Sequence, residues 1–72
     1  MVNYDLLNEK IKETGYQRGY IASKMGLSLT SFSYKTNGKR KILLEEVPKF
    51  QRALNLTRKD VNDIFFADDV EK

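Results

Sequence analysis

The sequence predicts an all-α protein, a compact five-helix bundle, and three observations carry that expectation. Apolar residues recur at helical spacing through most of the chain. Strict alternation of apolar and polar residues never lasts long enough to write a strand. Capping residues and glycines punctuate the apolar stretches where helices should begin and end. With 72 residues the chain makes one domain, near the lower size at which a single core folds without staples. It contains neither cysteine nor histidine, so disulfides are excluded and a zinc site lacks its usual ligands. Packing has to supply the stability, with or without help from oligomerisation.

Helix 1 is expected over residues 4–14. Asn3 supplies its N-cap, Val2 and Leu7 stand in staple positions, and Tyr4, Leu7 and Ile11 share one face. Gly15 ends it. Helix 2 is expected over residues 17–25, burying Ile21, Ala22 and Met25, with Gly26 where a left-handed residue is wanted. Gly26, Leu27 and Ser28 form the turn that follows. The Ser28 hydroxyl is placed to accept from the N–H of Thr30 or Ser31, and Leu27 and Phe32 straddle the cap, which sets helix 3 over residues 29–36. Asn37 and Gly38 stop it, and Lys39, Arg40 and Lys41 make a basic loop.

Helix 4 is expected over residues 45–54, with Val47, Phe50 and Leu54 on one face. Proline is tolerated only in a first turn, so the regular helix should begin close to Pro48, with residues 43–47 as a looser entry. Helix 5 follows Thr57, which with Asp60 resembles a capping box; Leu56 and Val61 make its staple, and Val61, Ile64 and Phe65 face inward. The domain should therefore occupy residues 1–66, followed by a short, frayed acidic tail at 67–72. The expected core is Leu7, Ile11, Ile21, Ala22, Met25, Leu27, Phe32, Val47, Phe50, Leu54, Val61, Ile64 and Phe65. Phe66, next to an inward neighbour, should point either into a dimer contact or against helix 1.

Charge is segregated along the chain. Between Thr14 and Leu44 lie six basic residues, Arg18, Lys24, Lys35, Lys39, Arg40 and Lys41, and no carboxylate. The formal net charge of +3 conceals this, because the rest of the chain is acidic on balance. A field of one sign in the middle of a small domain is what a nucleic-acid reader presents. No apolar stretch approaches the roughly 20 residues needed to span a bilayer, and the N-terminus lacks a secretory design, so a soluble, cytoplasmic protein is expected. Asn55-Leu56-Thr57 matches a glycosylation sequon but reads better as a helix joint with its cap. The acidic pairs Glu45-Glu46 and Asp68-Asp69 diverge on a helix and have no histidine, cysteine or glycine-rich phosphate loop beside them. Neither catalytic nor metal-ligating residues are expected, nor a cofactor, a small-molecule substrate or a membrane partner.

Ala22 where two helices cross, Gly26 in the turn, and Ile21, Met25, Leu27 and Phe32 fixing the interhelical angle together write a helix-turn-helix. This stretch resembles the Cro and phage-repressor family of bacterial and phage regulators, and the likeness continues through the Leu54-Asn55-Leu56-Thr57 joint, so that nearly the whole chain is lambda-repressor-like. The resemblance implies that helix 3 enters the major groove of operator DNA while helix 2 crosses the phosphate backbone. Carried over by position, Ser28, Leu29, Thr30, Ser33, Tyr34 and Asn37 would meet base edges or flanking phosphates. Arg18 stands where the family usually has a phosphate-binding glutamine, and Lys39, Arg40 and Lys41 would grip phosphates. A dimer with recognition helices about 34 Å apart would act by occupying a promoter.

Three departures qualify the likeness. Helix 3 has no Arg, Asn or Gln placed for bidentate base reading, which gives about 1–3 kcal/mol of discrimination per pair. Lys35 occupies a customary apolar position, its stem expected along the bundle and its amine in solvent. Gly19 and Tyr20 replace polar helix formers in helix 2. The row of Tyr20, Leu29 and Tyr34 beside basic residues also suits a protein partner. The chain is thus similar as well to the modulator-of-repression antirepressors of temperate phages, which implies a phage repressor as the alternative partner.

Overall fold

The computed structural model describes residues 1–66; the acidic segment 67–72 lies outside the described residues. Five α-helices run in the order α1 (Tyr4–Thr14), α2 (Arg18–Lys24), α3 (Leu29–Thr36), α4 (Val47–Leu54) and α5 (Arg58–Phe65), and a single 3₁₀ turn, Leu44–Glu46, leads into α4. No strand occurs among the described residues. The all-α expectation therefore holds.

Local chemistry sets most of the boundaries. The Asn3 side chain accepts from the Leu6 N–H at 3.0 Å, the Ser28 hydroxyl from the Ser31 N–H at 3.1 Å, and the Thr57 hydroxyl from the Asp60 N–H at 3.1 Å. Gly15 closes α1 at φ 75°, and Asn55 closes α4 at φ 57°, a left-handed position that asparagine tolerates better than branched residues do. Helix α2 is one residue shorter at each end than its periodicity suggests. Gln17 has extended backbone and makes no side-chain cap, and Met25 is already the C-cap residue. Pro48 lies in the first turn of α4, and residues 44–46 wind more tightly as the looser entry.

The core gathers where the helices cross. Phe50 lies at its centre, 6.2 Å from the ring of Phe32 and 5.6 Å from that of Phe65, and Phe50 and Phe32 are fully buried. Every residue of the expected core is buried except Leu27, which the turn leaves half-exposed at the edge. Ala53 and Leu56 join the core as well. Phe66 packs against the core from outside. The chain ends of the bundle meet where the Asn3 N–H donates to the Ile64 carbonyl at 2.7 Å, and the ring of Tyr4 covers Gly38, whose φ is 81°.

At the opposite end of α1, Lys10 bridges to Asp60 at 3.4 Å. The Thr57 N–H donated to Asp60, with the neighbouring Lys10, holds the Asp60 carboxyl below its ordinary value of 3.8. A carboxyl with a lowered folded pKa contributes stability that is complete above the unfolded value and lost as pH falls through the folded one. Asp60→Asn is accordingly expected to flatten the loss of stability in acid, which thermal melts in a series of acidic buffers will show.

Candidate functional site

Helix α3 has two contrasting faces. Its inner face buries Phe32, Lys35 and Thr36, while Leu29, Thr30 and Tyr34 are exposed outward. Leu29 keeps 51% of its surface and Tyr34 40%, high values for large apolar side chains on one short helix. Ser33 is half-buried, whereas Ser28 and Asn37 at the two ends are exposed.

The segment after α3 folds back over it. The N–H groups of Lys39 and Arg40 both donate to the Tyr34 carbonyl, at 2.9 and 3.2 Å, beyond the left-handed Gly38. The Arg40 guanidinium then lies 5.3 Å from the centre of the Tyr34 ring and donates to the Ser31 hydroxyl at 3.1 Å. Lys39, Arg40 and Lys41 are all exposed, and none forms a salt bridge with a carboxylate among the described residues. These cations also lie at the C-terminal, negative end of the α3 dipole. The result is a positive rim along one edge of an outward helix.

Lys35 does not reach solvent. Its amine is buried, donating to Glu46 Oε1 at 3.0 Å and to the Lys41 carbonyl at 3.1 Å, and the same Glu46 oxygen accepts the Leu43 N–H at 2.8 Å. One buried ion pair thus fastens both ends of the segment 41–43 to the bundle. The expectation of a solvated amine is corrected because the carboxylate that neutralises it stands eleven residues away, outside any helical repeat. That pair removes one charge from the positive window.

Arg18 also turns inward. It is half-buried, donates to Asn8 Oδ1 at 3.2 Å and to the Thr36 hydroxyl at 2.6 Å, and lies 5.2 Å from the centre of the Phe32 ring. Asn8 in turn donates to the carbonyls of Tyr4 and Thr36. Arg18 therefore ties α1, α2 and α3 together, a use of the guanidinium that competes with any phosphate.

Tyr20 is exposed and packs edge-on to Tyr16 at 5.0 Å, with the Lys24 amine over both rings at 5.6 and 5.7 Å. Sequence reasoning counts Lys24 among the basic residues but misses Tyr16; the even four-residue spacing of Tyr16, Tyr20 and Lys24 is the available signal. The same reasoning passes over Leu43 and Leu44, which are 49% and 73% exposed. An open groove of about 520 Å³ runs beside Tyr16 and Lys24 and is bordered by Lys10, Glu13, Arg52 and Asp60, with no residue of α3.

Among the described residues no group of three or more acidic side chains is placed to hold a metal ion, and no helix is long and apolar enough to cross a membrane. Compared with family models, curated proteins and solved structures, the chain matches none.

Proposed function

We propose that this protein is a small helix-turn-helix transcriptional regulator of the phage Cro and repressor type, working in a lysis–lysogeny-like switch and binding operator DNA through α3. The observation that carries the reading is the outward face of α3, bordered by Lys39, Arg40 and Lys41 with no carboxylate against them. In this reading the N-terminal half of α3 enters the major groove, where Leu29 touches a thymine methyl and Thr30 and Ser33 make single hydrogen bonds. The basic segment takes phosphates, and Lys24 follows the backbone. Arg18 and Lys35 contribute little, being engaged within the bundle. The protein acts by occupying a promoter, with no catalysis, cofactor or metal.

Four remaining cations set the salt dependence at a slope of roughly −4 per subunit for log K against log salt. Titration of a duplex covering the protein's own promoter region, followed by fluorescence anisotropy across salt, tests this. Arg40→Glu is expected to weaken binding about tenfold or more on every sequence and to reduce the slope by about 1–2. Absence of binding at low salt overturns the reading.

A second reading is favoured by Leu29 and Tyr34, exposed where a base reader would carry amides or guanidinium groups, and by Tyr20, exposed on α2. Here the same face binds the DNA-binding domain of a partner phage repressor and masks it. Leu29→Ala or Tyr34→Ala then abolishes a protein complex that survives high salt, which DNA binding does not.

A further inference from the structure

Five asparagines occur in the chain, and only Asn37 is followed by glycine. A glycine nitrogen has no side chain beside it to shield it, so Asn-Gly is the pair in which the backbone amide most readily reaches the preceding carboxamide. Asn3 and Asn8 are committed within the fold, one capping α1 and the other joining Tyr4, Arg18 and Thr36. Asn37 has no such duty. It is exposed, its carboxamide makes no hydrogen bond among the described residues, and the Gly38 N–H finds no acceptor there. A nucleophile and the carbon it attacks thus stand side by side and unengaged.

We propose that Asn37 is a site of spontaneous deamidation, gated by the turn that ends α3. The Gly38 amide gives its proton to hydroxide, and its nitrogen forms a bond to Cγ of Asn37. The bond from Cγ to Nδ2 breaks, and Nδ2 leaves as ammonia with its two protons and one from water. The five-membered imide then takes up one water and opens at either carbonyl, giving aspartate or its isomer linked through the side chain. Nothing is oxidised or reduced, and the net exchange is one water for one ammonia.

The turn decides when this happens. Asn37 has ψ 2°, which sets the Gly38 nitrogen roughly 120° from Cβ about the Cα–C bond, so ring closure requires rotation there. The N–H groups of Lys39 and Arg40, both held on the Tyr34 carbonyl, resist that rotation, and so does the Tyr4 ring against Gly38. Reaction therefore proceeds through local opening of the turn. The product carboxylate stands at the end of the outward face of α3, just before Lys39 and Arg40. Its consequence, which rests on the operator reading, is the loss of about one effective cation from the positive rim.

Incubation of the full chain at physiological temperature, with tryptic mapping of residues 36–39 by mass spectrometry, tests the site without reference to DNA. A gain of about 1 Da is expected on that peptide, with the other asparagines unchanged. Tyr4→Ala is expected to speed conversion about threefold or more, whereas Val61→Ala, a core change next to Asp60, leaves its rate unchanged. Asn37→Asp is expected to weaken binding of the promoter duplex roughly threefold to tenfold. A folded protein that keeps Asn37 intact while the urea-unfolded chain converts it, or a Val61→Ala variant that converts as fast as Tyr4→Ala, overturns the proposal. An Asn37→Asp variant that binds as tightly as the wild type overturns the consequence for DNA. A wild type that itself fails to bind the duplex overturns the operator reading alone, since the mass measurement still decides the modification.

Discussion

Lys35→Met alone is expected to destabilise the protein by about 3–5 kcal/mol, although methionine matches the apolar position better than lysine does. The reason lies with what remains. Glu46 is 8% exposed and would keep a carboxylate with no cation beside it, while the Lys41 carbonyl would lose its donor. A 72-residue domain has a total stability of roughly 4–11 kcal/mol, so this one change brings the chain close to unfolding at room temperature. Replacing both partners, Lys35→Met with Glu46→Leu, is expected to recover most of the loss, because two apolar side chains remove the desolvation cost of two ions. Recovery stays about 1 kcal/mol short, since the Leu43 N–H also loses its acceptor. Urea unfolding of the wild type, the single variant and the double variant measures all three quantities. A double variant no more stable than the single one would show that the cost lies in packing around Lys35, not in the stranded charge.

The same pair marks the limit of what the sequence discloses. Asn3, Ser28 and Thr57 were legible as caps because each bond spans three residues or fewer, and the chain writes donor and acceptor side by side. Gly15 and Gly26 were legible because few other residues reach a positive φ without strain. The apolar face of α4 was legible from spacing alone, as was the confinement of Pro48 to its first turn. Long-range polar contacts left no such trace. Lys35 meets Glu46 across eleven residues, Arg18 meets Thr36 across eighteen, and Asn8 meets Thr36 across twenty-eight. Formal charge counts treat Arg18 and Lys35 as equal to Lys39 and Arg40, whereas the fold spends the first two on its own stability. The candidate site was therefore readable as a place, helix 3 with its basic border, but its composition was readable only in part. Leu43 and Leu44 escaped notice for a related reason: they precede the helix whose periodicity would have shown them to be out of register with the core.

Helix α3 offers the largest contrast between stability and binding within eight residues. Phe32→Ala is expected to cost about 3–5 kcal/mol, the usual range when a fully buried ring is deleted. The void would open between Phe50 and the guanidinium of Arg18, which lies 5.2 Å from the ring centre. Collapse of neighbours into that void is hindered, because the bonds from Arg18 to Asn8 and Thr36 hold α1, α2 and α3 at fixed separation. Two residues along the same helix, Tyr34→Ala should change stability by less than about 0.5–1 kcal/mol, losing mainly the stacking of Arg40 on an exposed ring. Urea unfolding reads the first effect, and titration with DNA or with a repressor's DNA-binding domain reads the second. If Tyr34→Ala unfolds the protein as readily as Phe32→Ala does, the outward face of α3 is part of the fold's own support, and neither DNA nor a repressor can be its partner.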